Sequence, residues 1–265
     1  MTTIRRALPL GLLVTLALFG PLADAATAGG SGAHRPIAVI AAQTSSNWGG
    51  YNQGILEAGK SGGFHQVSAT WVVTTATQHQ SGRSENSATW VGVGGGCMET
   101  SCAATDSTLI QAGSSQDVAA NGTATYNVWY ELIPAPSITI TSLTVHAGDT
   151  VSVDIREAVN NSNVWTITVK VNSATFTTTV PYSSTHGTAE WIVETPIVIG
   201  TNGTGVAAMP NLAKTQFTNV KTNSVSPGLT APEQINLESN GQRLATPSAA
   251  SGTSFSVCTY TTSCS

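Results

Sequence analysis

Short runs of β-branched and aromatic residues recur along the chain, and several of them alternate apolar and polar positions. Such runs predict strands, and turn pairs such as Gly148-Asp149 and Asn172-Ser173 separate them. No amphipathic helical pattern of ten or more residues interrupts the series. The predicted strands cover residues 64–73, 87–94, 108–113, 124–133, 137–144, 150–155, 164–171, 174–180, 189–194, 197–199, 215–220, 234–237 and 254–260. Many short strands at close spacing predict one all-β sandwich or barrel.

The predicted strand at residues 189–194 carries two carboxylates within an apolar run. Because strand side chains alternate in direction, Glu190, Ile192 and Glu194 share one face. Glu190 and Glu194 lie about 13 Å apart along the strand, too far to share a proton directly. Either these carboxylates lie on a solvated face, as charges on antiparallel sheets commonly do, or Glu194 acts with a partner from a neighbouring strand.

The N-terminus has the organisation of a secretory signal peptide. Arg5 and Arg6 precede an apolar run over residues 7–19, and an Ala-x-Ala sequence ends at Ala25. We therefore predict that residues 1–25 are removed and that the protein is secreted to the extracellular space. The apolar run is too short to span a membrane stably. Residues 26–45 are predicted to be a flexible lead-in or short pro-segment, followed by a single domain over residues 46–265.

The charge content excludes some classes of partner. Cleavage after Ala25 removes two of the 10 basic and one of the 14 acidic residues, which leaves a formal charge of −5. A nucleic-acid-binding protein would need a clustered basic face, so no nucleic-acid partner is expected. With 9% charged residues the fold depends little on ion pairs, which suits work in acid. We expect a monomer without a membrane partner after signal removal.

The four cysteines form two close pairs in the sequence. In an exported protein the default prediction is two local disulfides, Cys97 with Cys102 and Cys258 with Cys264, although spacing leaves other pairings open. No pair has Cys-x-x-Cys spacing and no histidine pair lies nearby, so no zinc site is expected. The histidines are isolated and are expected to be surface or hydrogen-bonded residues: His34, His65, His79, His146 and His186. No metal and no cofactor is predicted.

Residues 54–61 match the phosphate-loop pattern, and residues 59–63 match the nucleophile-elbow pattern. Both patterns require a helix to follow. Here Gly62-Gly63 and a strand follow, so we interpret the segment as a hairpin turn.

Three polar residues lie inside apolar strands: Gln111, Glu131 and Glu194. A buried amide or carboxylate is costly unless it is hydrogen-bonded. On one sheet face, beside Trp90 and Tyr126, these residues would form a polar cleft with aromatic walls. Such a cleft could be catalytic or could bind sugar.

Five motifs occur in a fixed order along the chain: Asn-Trp-Gly-Gly-Tyr at 47–51, Trp-Val-Gly-Val at 90–93, Leu-Ile-Gln-Ala-Gly at 109–113, Trp-Tyr-Glu at 129–131, and Ala-Glu-Trp-Ile-Val-Glu at 189–194. Together they resemble the glutamic peptidases (eqolisins), secreted acid proteases best known from fungi. The resemblance implies a concanavalin A-like jelly roll, an antiparallel β-sandwich of two large sheets with a cleft over one of them. It also implies polypeptide substrates.

The resemblance assigns the catalytic pair to Gln111 and Glu194. Glu194 would act as general base toward water and then as general acid, and the Gln111 amide would donate to the oxyanion. Other cleft positions of the family, which help to hold the pair or the substrate, match Trp48, Trp90, Tyr126 and Glu131. Two family aspartates are replaced by Gly94 and Ser115, so neither the strongly acidic pH optimum nor the subsite preferences follow from the resemblance.

Two other functions are compatible with an aromatic cleft on a β-sandwich. One is a non-catalytic, lectin-like carbohydrate-binding module, which would need neither Gln111 nor Glu194. The other is a glycosidase that uses Glu131 and Glu194, which would require the two carboxylates at about 5–10 Å across the cleft.

Overall fold

The structure is a computed structural model that describes residues 34–57, 59–200 and 203–265. The predicted signal peptide at residues 1–25 lies outside the described residues, and so do residues 26–33 of the predicted lead-in. Within the described part of the chain, no helix has the length and apolar character needed to cross a membrane.

The strands follow one another with short connections. The first nine are β1 Val39–Ala41, β2 Thr44–Ser45, β3 Trp48–Gly54, β4 Gln66–Val72, β5 Ala88–Gly94, β6 Leu109–Val118, β7 Ala124–Ile133, β8 Ile138–Thr139 and β9 Thr150–Glu157. The others are β10 Val164–Val171, β11 Ala174–Pro181, β12 Thr188–Glu194, β13 Ile197–Gly200, β14 Gly203–Val206, β15 Lys214–Thr222, β16 Gln234–Ser239, β17 Gln242–Pro247 and β18 Phe255–Thr259. A single turn of 3-10 helix, Ala231–Glu233, precedes β16.

These strands form two layers. The back sheet has the order β11-β10-β9-β4-β15-β18-β17, and the front sheet has the order β3-β12-β5-β6-β7-β8. Strand β16 pairs with β17 and with β3, so it joins the two sheets. Strands β4 and β9 of the back sheet pack on β5, β6 and β12 of the front sheet. The predicted sandwich of two large antiparallel sheets is confirmed.

The main core fills the space between the sheets. Trp191 and Val193 of β12 point into it, together with Trp71 and Phe217 of the back sheet, and all four side chains are buried. Burial of such aromatic side chains supplies much of the hydrophobic stabilisation of the fold. By alternation, Glu190, Ile192 and Glu194 project from the opposite face of the front sheet, where a second, smaller buried cluster lies: Ile37, Trp48, Ala88, Trp90, Cys97, Leu109, Trp129, Ile192 and Ile235.

The structure departs from the predicted elements at several places: β1, β2, β3, β14 and β17 were not predicted, and β6 extends to Val118. Strand β3 was not predicted, because its sequence Trp-Gly-Gly-Tyr-Asn-Gln-Gly has few residues that favour strands. It is held instead by pairing with β12 on one side and β16 on the other. The strand predicted at residues 137–144 contains only the two residues of β8.

Two disulfides are present, and both are the local pairs. Cys97 bonds to Cys102 with a Cα–Cα distance of 4.8 Å, and Cys258 bonds to Cys264 with a Cα–Cα distance of 5.5 Å. The default pairing predicted from the sequence is therefore confirmed.

Candidate active site

Gln111 and Glu131 form a hydrogen-bonded pair on the outward face of the front sheet. Gln111 of β6 lies directly opposite Glu131 of β7, and its other neighbour is Gly92 of β5. Its Nε2 donates to Glu131 Oε2 at 2.7 Å, and both side chains are buried. Cross-strand register therefore satisfies two polar groups that would be costly to bury singly.

Glu194 lies at the end of β12, opposite Ala88 of β5 and Trp48 of β3. The indole Nε1 of Trp90 donates to its Oε2 at 2.8 Å. Glu190 and Glu194 both have 0% exposure. The alternative that these carboxylates lie on a solvated face is therefore wrong.

Two acceptor atoms at the site have no hydrogen-bond partner among the described residues: Gln111 Oε1 and Glu194 Oε1. The indole Nε1 of Trp129 is likewise without an acceptor there. Buried polar atoms of native proteins are nearly always hydrogen-bonded. These three atoms are therefore the ones through which a bound water or substrate would be held.

Close packing around Trp90 depends on Gly113, its neighbour across β5 and β6. A Cβ atom at Gly113 would lie 2.2 Å from Thr89 O and 2.5 Å from Trp90 Cβ. Only glycine at this position lets the two strands pair while the Trp90 indole reaches Glu194.

Gly94, which the resemblance places at a family aspartate position, has a backbone conformation that favours glycine. Its φ is +94°, and a Cβ atom there would lie 2.0 Å from Thr108 O. An aspartate therefore does not fit the present backbone at this position.

The electrostatics of the site favour neutral forms of some carboxyls. Burial raises the pKa of Glu131 to about 7, and the charge of Glu194 adds to this effect, although His34 and the Gln111 hydrogen bond oppose it. Burial also raises the pKa of Asp117, on the same strand as Gln111, to about 6. In mild acid, Gln111 is thus held by a protonated Glu131.

Glu190 differs from Glu194 although the two share a strand and a face. Neither carboxyl oxygen of Glu190 has a hydrogen-bond partner among the described residues. Burial raises the pKa of Glu190 well above its usual range. Burial thus favours the neutral form of Glu190, which also lacks the indole donor that orients Glu194.

The described part of the predicted lead-in covers the site. His34 Nδ1 lies 2.8 Å from Glu194 Oε2, and the His34 ring stacks on Trp129 with a centroid separation of 3.9 Å. Burial lowers the pKa of His34, but the nearby carboxylates, Glu194 first among them, outweigh it, so that the pKa is raised overall. His34 and Glu194 therefore form a buried ion pair in which one partner comes from outside the predicted domain.

The residues after His34 are fixed to the same sheet. Trp48 Nε1 donates to Arg35 O at 3.1 Å, Ile37 N donates to Gly95 O at 2.8 Å, and Ala38 N donates to Asn47 Oδ1 at 2.8 Å. Strands β1 and β2 then pair with each other before β3 begins. The segment at residues 34–38 thus packs against the front sheet, whereas residues 39–42 are exposed, and the division between lead-in and domain at residue 45 stays a prediction.

The structure places the predicted site residues in two groups on one sheet face, Gln111 with Glu131 and Glu194 with Trp90 and Trp48. In strand register Gln111 lies level with Glu190, four positions from Glu194. Trp48 and Trp90 meet edge to face with ring centroids 4.9 Å apart, and both belong to the cluster on the Gln111 face. Tyr126 does not join them, and its predicted place in the cleft is a correction. It lies five positions before Glu131 on β7 and therefore on the opposite face, where it packs against the main core and its hydroxyl accepts from Ala76 N at 3.1 Å.

Two residues of the site were not predicted. Trp129 lies two positions before Glu131, so strand alternation alone places it on the same face. His34 carries no comparable signal, since it lies in a small, Gly-rich segment that no strand pattern connects to the site.

Comparison with known proteins gives consistent results. The sequence model of the Peptidase A4 family matches residues 46–260. No protein with a curated description matches the chain.

Three solved structures share the fold. Scytalido-glutamic peptidase, in a complex with a transition-state analog inhibitor, is 21% identical with a TM-score of 0.61 and covers 81% of this chain and 98% of its own. SCP-B, an eqolisin in complex with the tripeptide Ala-Ile-His, is 20% identical with a TM-score of 0.54 and the same coverage. Aspergilloglutamic peptidase from Aspergillus niger is 22% identical with a TM-score of 0.53 and covers 66% of this chain and 99% of its own.

Proposed function

Because the chain belongs to the Peptidase A4 family and is a glutamic-type peptidase, we propose that it is a secreted endopeptidase in which Glu194 and Gln111 catalyse direct attack of water on the peptide bond in acid. The observation that carries the proposal is the asymmetry of the buried Glu194 carboxylate. Trp90 holds one oxygen, and the other has no partner among the described residues.

Glu194 is assigned the proton transfers. Its free Oε1 takes a proton from water while the water oxygen bonds to the carbonyl carbon of the substrate. The protonated carboxyl then gives this proton to the leaving nitrogen as the carbon–nitrogen bond breaks, and the carboxylate is restored. General acid–base catalysis of this kind contributes roughly 10²–10⁴-fold in rate.

Gln111 is assigned the stabilisation of the oxyanion. One hydrogen of its Nε2 is committed to Glu131, which fixes the amide plane, and the second hydrogen remains to donate to the tetrahedral intermediate. A fixed donor costs no reorganisation when charge develops, and one such donor is worth about 10²–10³-fold in rate. The amide NH₂ of glutamine remains a hydrogen-bond donor at low pH because it does not titrate there.

His34 contacts Glu194 Oε2, the oxygen that Trp90 also holds, and its ring stacks on Trp129, so the lead-in covers the face of the sheet on which substrate is proposed to bind. We therefore propose that residues 34–38 cover the site and must move away before substrate binds. Activity assays consequently need a chain that lacks this segment as well as the chain that starts at Ala26.

Secretion is part of the proposal. Residues 1–25 have the pattern of a signal peptide, and two disulfides are typical of exported proteins. N-terminal sequencing of protein from the culture medium of a secreting host should give a start at Ala26. Protein that stays in the cells with Met1 intact would contradict this.

The test of the chemistry is hydrolysis of denatured casein between pH 2 and 7, with pepstatin present to suppress contaminating aspartic peptidases. The active chain and its Glu194→Gln variant are compared. We expect a loss of at least about 1000-fold, within the range of general acid–base catalysis. Activity of equal size in both proteins would contradict the proposal.

Glu190→Gln is the matched control. It makes the same change on the same strand and face, but burial favours the neutral form of Glu190, which has the shape of glutamine. Activity close to wild type is expected. If neither the wild type nor either variant hydrolyses casein while all are folded, the catalytic assignment fails and a glycan-binding screen becomes the next measurement.

A further inference from the structure

Three side chains that are far apart in the sequence converge at the opposite end of β12 from Glu194. His65 precedes β4, Glu157 ends β9, and His186 precedes β12. His65 Nδ1 lies 2.6 Å and His186 Nε2 lies 3.1 Å from the same atom, Glu157 Oε2. All three residues are less than 9% exposed. Strand β12 extends about 20 Å from Thr188 to Glu194, and His186 lies before its first residue, so the cluster is distinct from the proposed catalytic site.

The hydrogen bonds of the cluster fix the tautomer of His65. Its Nε2 lies 2.8 Å from Gly62 O, and a carbonyl oxygen can only accept, so Nε2 carries the hydrogen. In the neutral ring, Nδ1 then presents a lone pair to the carboxylate oxygen at 2.6 Å. That contact is favourable only when a cation lies between the two atoms, either a second proton on the ring or a metal ion.

The surroundings of Glu157 hold its carboxylate in place. Asn161 N donates to Oε2 at 2.8 Å, and Asn163 N donates to Oε1 at 2.6 Å. A histidine that donates its second ring nitrogen to a backbone carbonyl, beside a carboxylate that is itself hydrogen-bonded, is the arrangement that surrounds metal-binding side chains in proteins.

We propose that His65 Nδ1, His186 Nε2 and Glu157 Oε2 bind one Zn²⁺ ion. Two histidines and one carboxylate are a donor set that suits zinc, and their donor atoms all lie within 4.8 Å of one another. Metal–donor distances of about 2.0–2.2 Å in a tetrahedron place neighbouring donors about 3.3 Å apart. The 3.1 Å contact already fits, and the 2.6 Å contact has to open by about 0.7 Å.

The proposed ion would connect three segments from both sheets. The loop before β4, the end of β9 and the start of β12 meet here, and Phe64 N also donates to His186 O at 3.0 Å. A ligand that binds only the folded state raises its thermal midpoint. Zinc should therefore stabilise the fold without entering the proteolytic step.

The experiment uses the chain from Ala26 without an affinity tag. It is freed of metal with a chelator and titrated with Zn²⁺ at pH 7.5 against a chromophoric competitor. We expect one ion per chain, a rise of several degrees in the thermal midpoint, and visible absorption bands when Co²⁺ replaces Zn²⁺. Glu157→Gln and His65→Gln should weaken binding at least about 100-fold, since loss of outer partners alone costs 10–100-fold.

Two further variants complete the test. His186→Asn removes a ligand at a residue with φ of +57°, a conformation that asparagine tolerates, and it serves if the other variants fail to fold. His146→Gln is the control, because His146 is exposed and lies 3.6 Å from Asp149; it should bind zinc as the wild type does. Absence of stoichiometric binding by the folded chain at pH 7.5, or binding that survives loss of Glu157 and His186, would overturn the proposal and leave a proton-linked cluster.

Discussion

At the residue scale, the two oxygens of Glu194 have different surroundings. Oε2 is approached by Trp90 Nε1 and His34 Nδ1, whereas Oε1 has no hydrogen-bond partner among the described residues. A carboxylate held at one oxygen keeps a defined direction for the lone pairs of the other. This is the arrangement that a general base needs in order to meet a water molecule in a fixed place.

Trp90→Phe tests this anchoring. Phenylalanine keeps an aromatic ring in the small cluster but removes the Nε1 donor to Glu194, so we expect kcat to fall roughly 10–100-fold while KM changes little. Steady-state kinetics on a peptide substrate provide the measurement.

Trp165→Phe is the comparison for that variant. It removes an indole bond of similar length, from Trp165 Nε1 to Tyr182 O, in the main core. Stability should drop by about 1 kcal/mol with kcat retained. A similar loss of kcat in both variants would show that packing, and not the bond to Glu194, is responsible.

Sequence patterns place some residues of the site better than others. The order of the motifs identifies Gln111 and Glu194 as candidates. Alternation along β7 places Trp129 on the same face as Glu131 and Tyr126 on the opposite face. His34 could not be placed in this way. Its contact spans 160 positions and depends on how the segment before β1 folds back over the sheet.

At the element scale, β12 is paired with a strand on each side. One of its faces packs into the main core, and the other carries Glu194. Strand β12 pairs with β3 and β5 along its whole length, so Glu194 is placed by a rigid central strand. The segment from His34 to β1 lies over this face and reaches Glu194, Trp129 and Trp48. One face of β12 thus packs against the main core, and the lead-in covers the other face.

Removal of the lead-in should raise activity. A chain that begins at Gln43 lacks His34 and β1 but keeps β2, which pairs with β16. If the covered form predominates, the apparent affinity for substrate is reduced by the fraction of uncovered chains, and we expect kcat/KM to increase at least about tenfold over the chain that begins at Ala26. Initial rates on one peptide at equal active-site concentration measure this.

His34→Ala in the longer chain separates the ion pair from the rest of the segment. It should give part of the same increase, since it removes the bond to Glu194 and the stacking on Trp129 but leaves the backbone contacts of Ile37 and Ala38. Equal rates for the long chain, the short chain and the variant would contradict the covering role.

Strands rich in β-branched residues could be predicted from the sequence, but the strands with which they pair could not. Residues 164–171 and 174–180 correspond to β10 and β11 because local propensity and the Asn172-Ser173 turn agree. Strand β3, with three glycines in seven residues, forms only because β12 and β16 lie on either side of it. Pairing between distant strands is a tertiary property that no local pattern records.

At the scale of the whole molecule, the buried carboxyls make stability depend on pH. Burial raises the pKa of Glu131 to about 7, of Glu57 to about 7 and of Asp117 to about 6. A raised pKa in the folded state contributes stability that is fully present below the unfolded value and is lost as pH rises through the folded value. The Glu157 carboxyl has a lowered pKa, because hydrogen bonds from His65 and nearby backbone groups outweigh burial, so its contribution is lost on the acid side.

We therefore expect the free energy of unfolding to be largest near pH 4.5 and to fall as the pH rises to about 7. Glu131→Gln removes one titrating group and should flatten this fall by roughly 3 kcal/mol, the value of a shift from the ordinary pKa of 4.5 to about 7. Urea unfolding at pH 4.5, 5.5, 6.5 and 7.5 measures it. Glu99→Gln, the same change in a loop, should leave the slope as in the wild type; an unchanged slope in Glu131→Gln would refute the assignment.

The central claim is that Gln111 and Glu194 act as one catalytic pair, and a double-mutant cycle on kcat/KM tests it most directly. The chain that begins at Gln43 is compared with Gln111→Leu, Glu194→Gln and the double variant on a single peptide at the pH of maximal activity. We predict losses of at least about 100-fold and 1000-fold for the single variants. The double variant should lose little more than the worse single variant, because residues that act as a unit are strongly non-additive. Losses that multiply in the double variant, or a Gln111→Leu variant within tenfold of the wild type, would contradict the account.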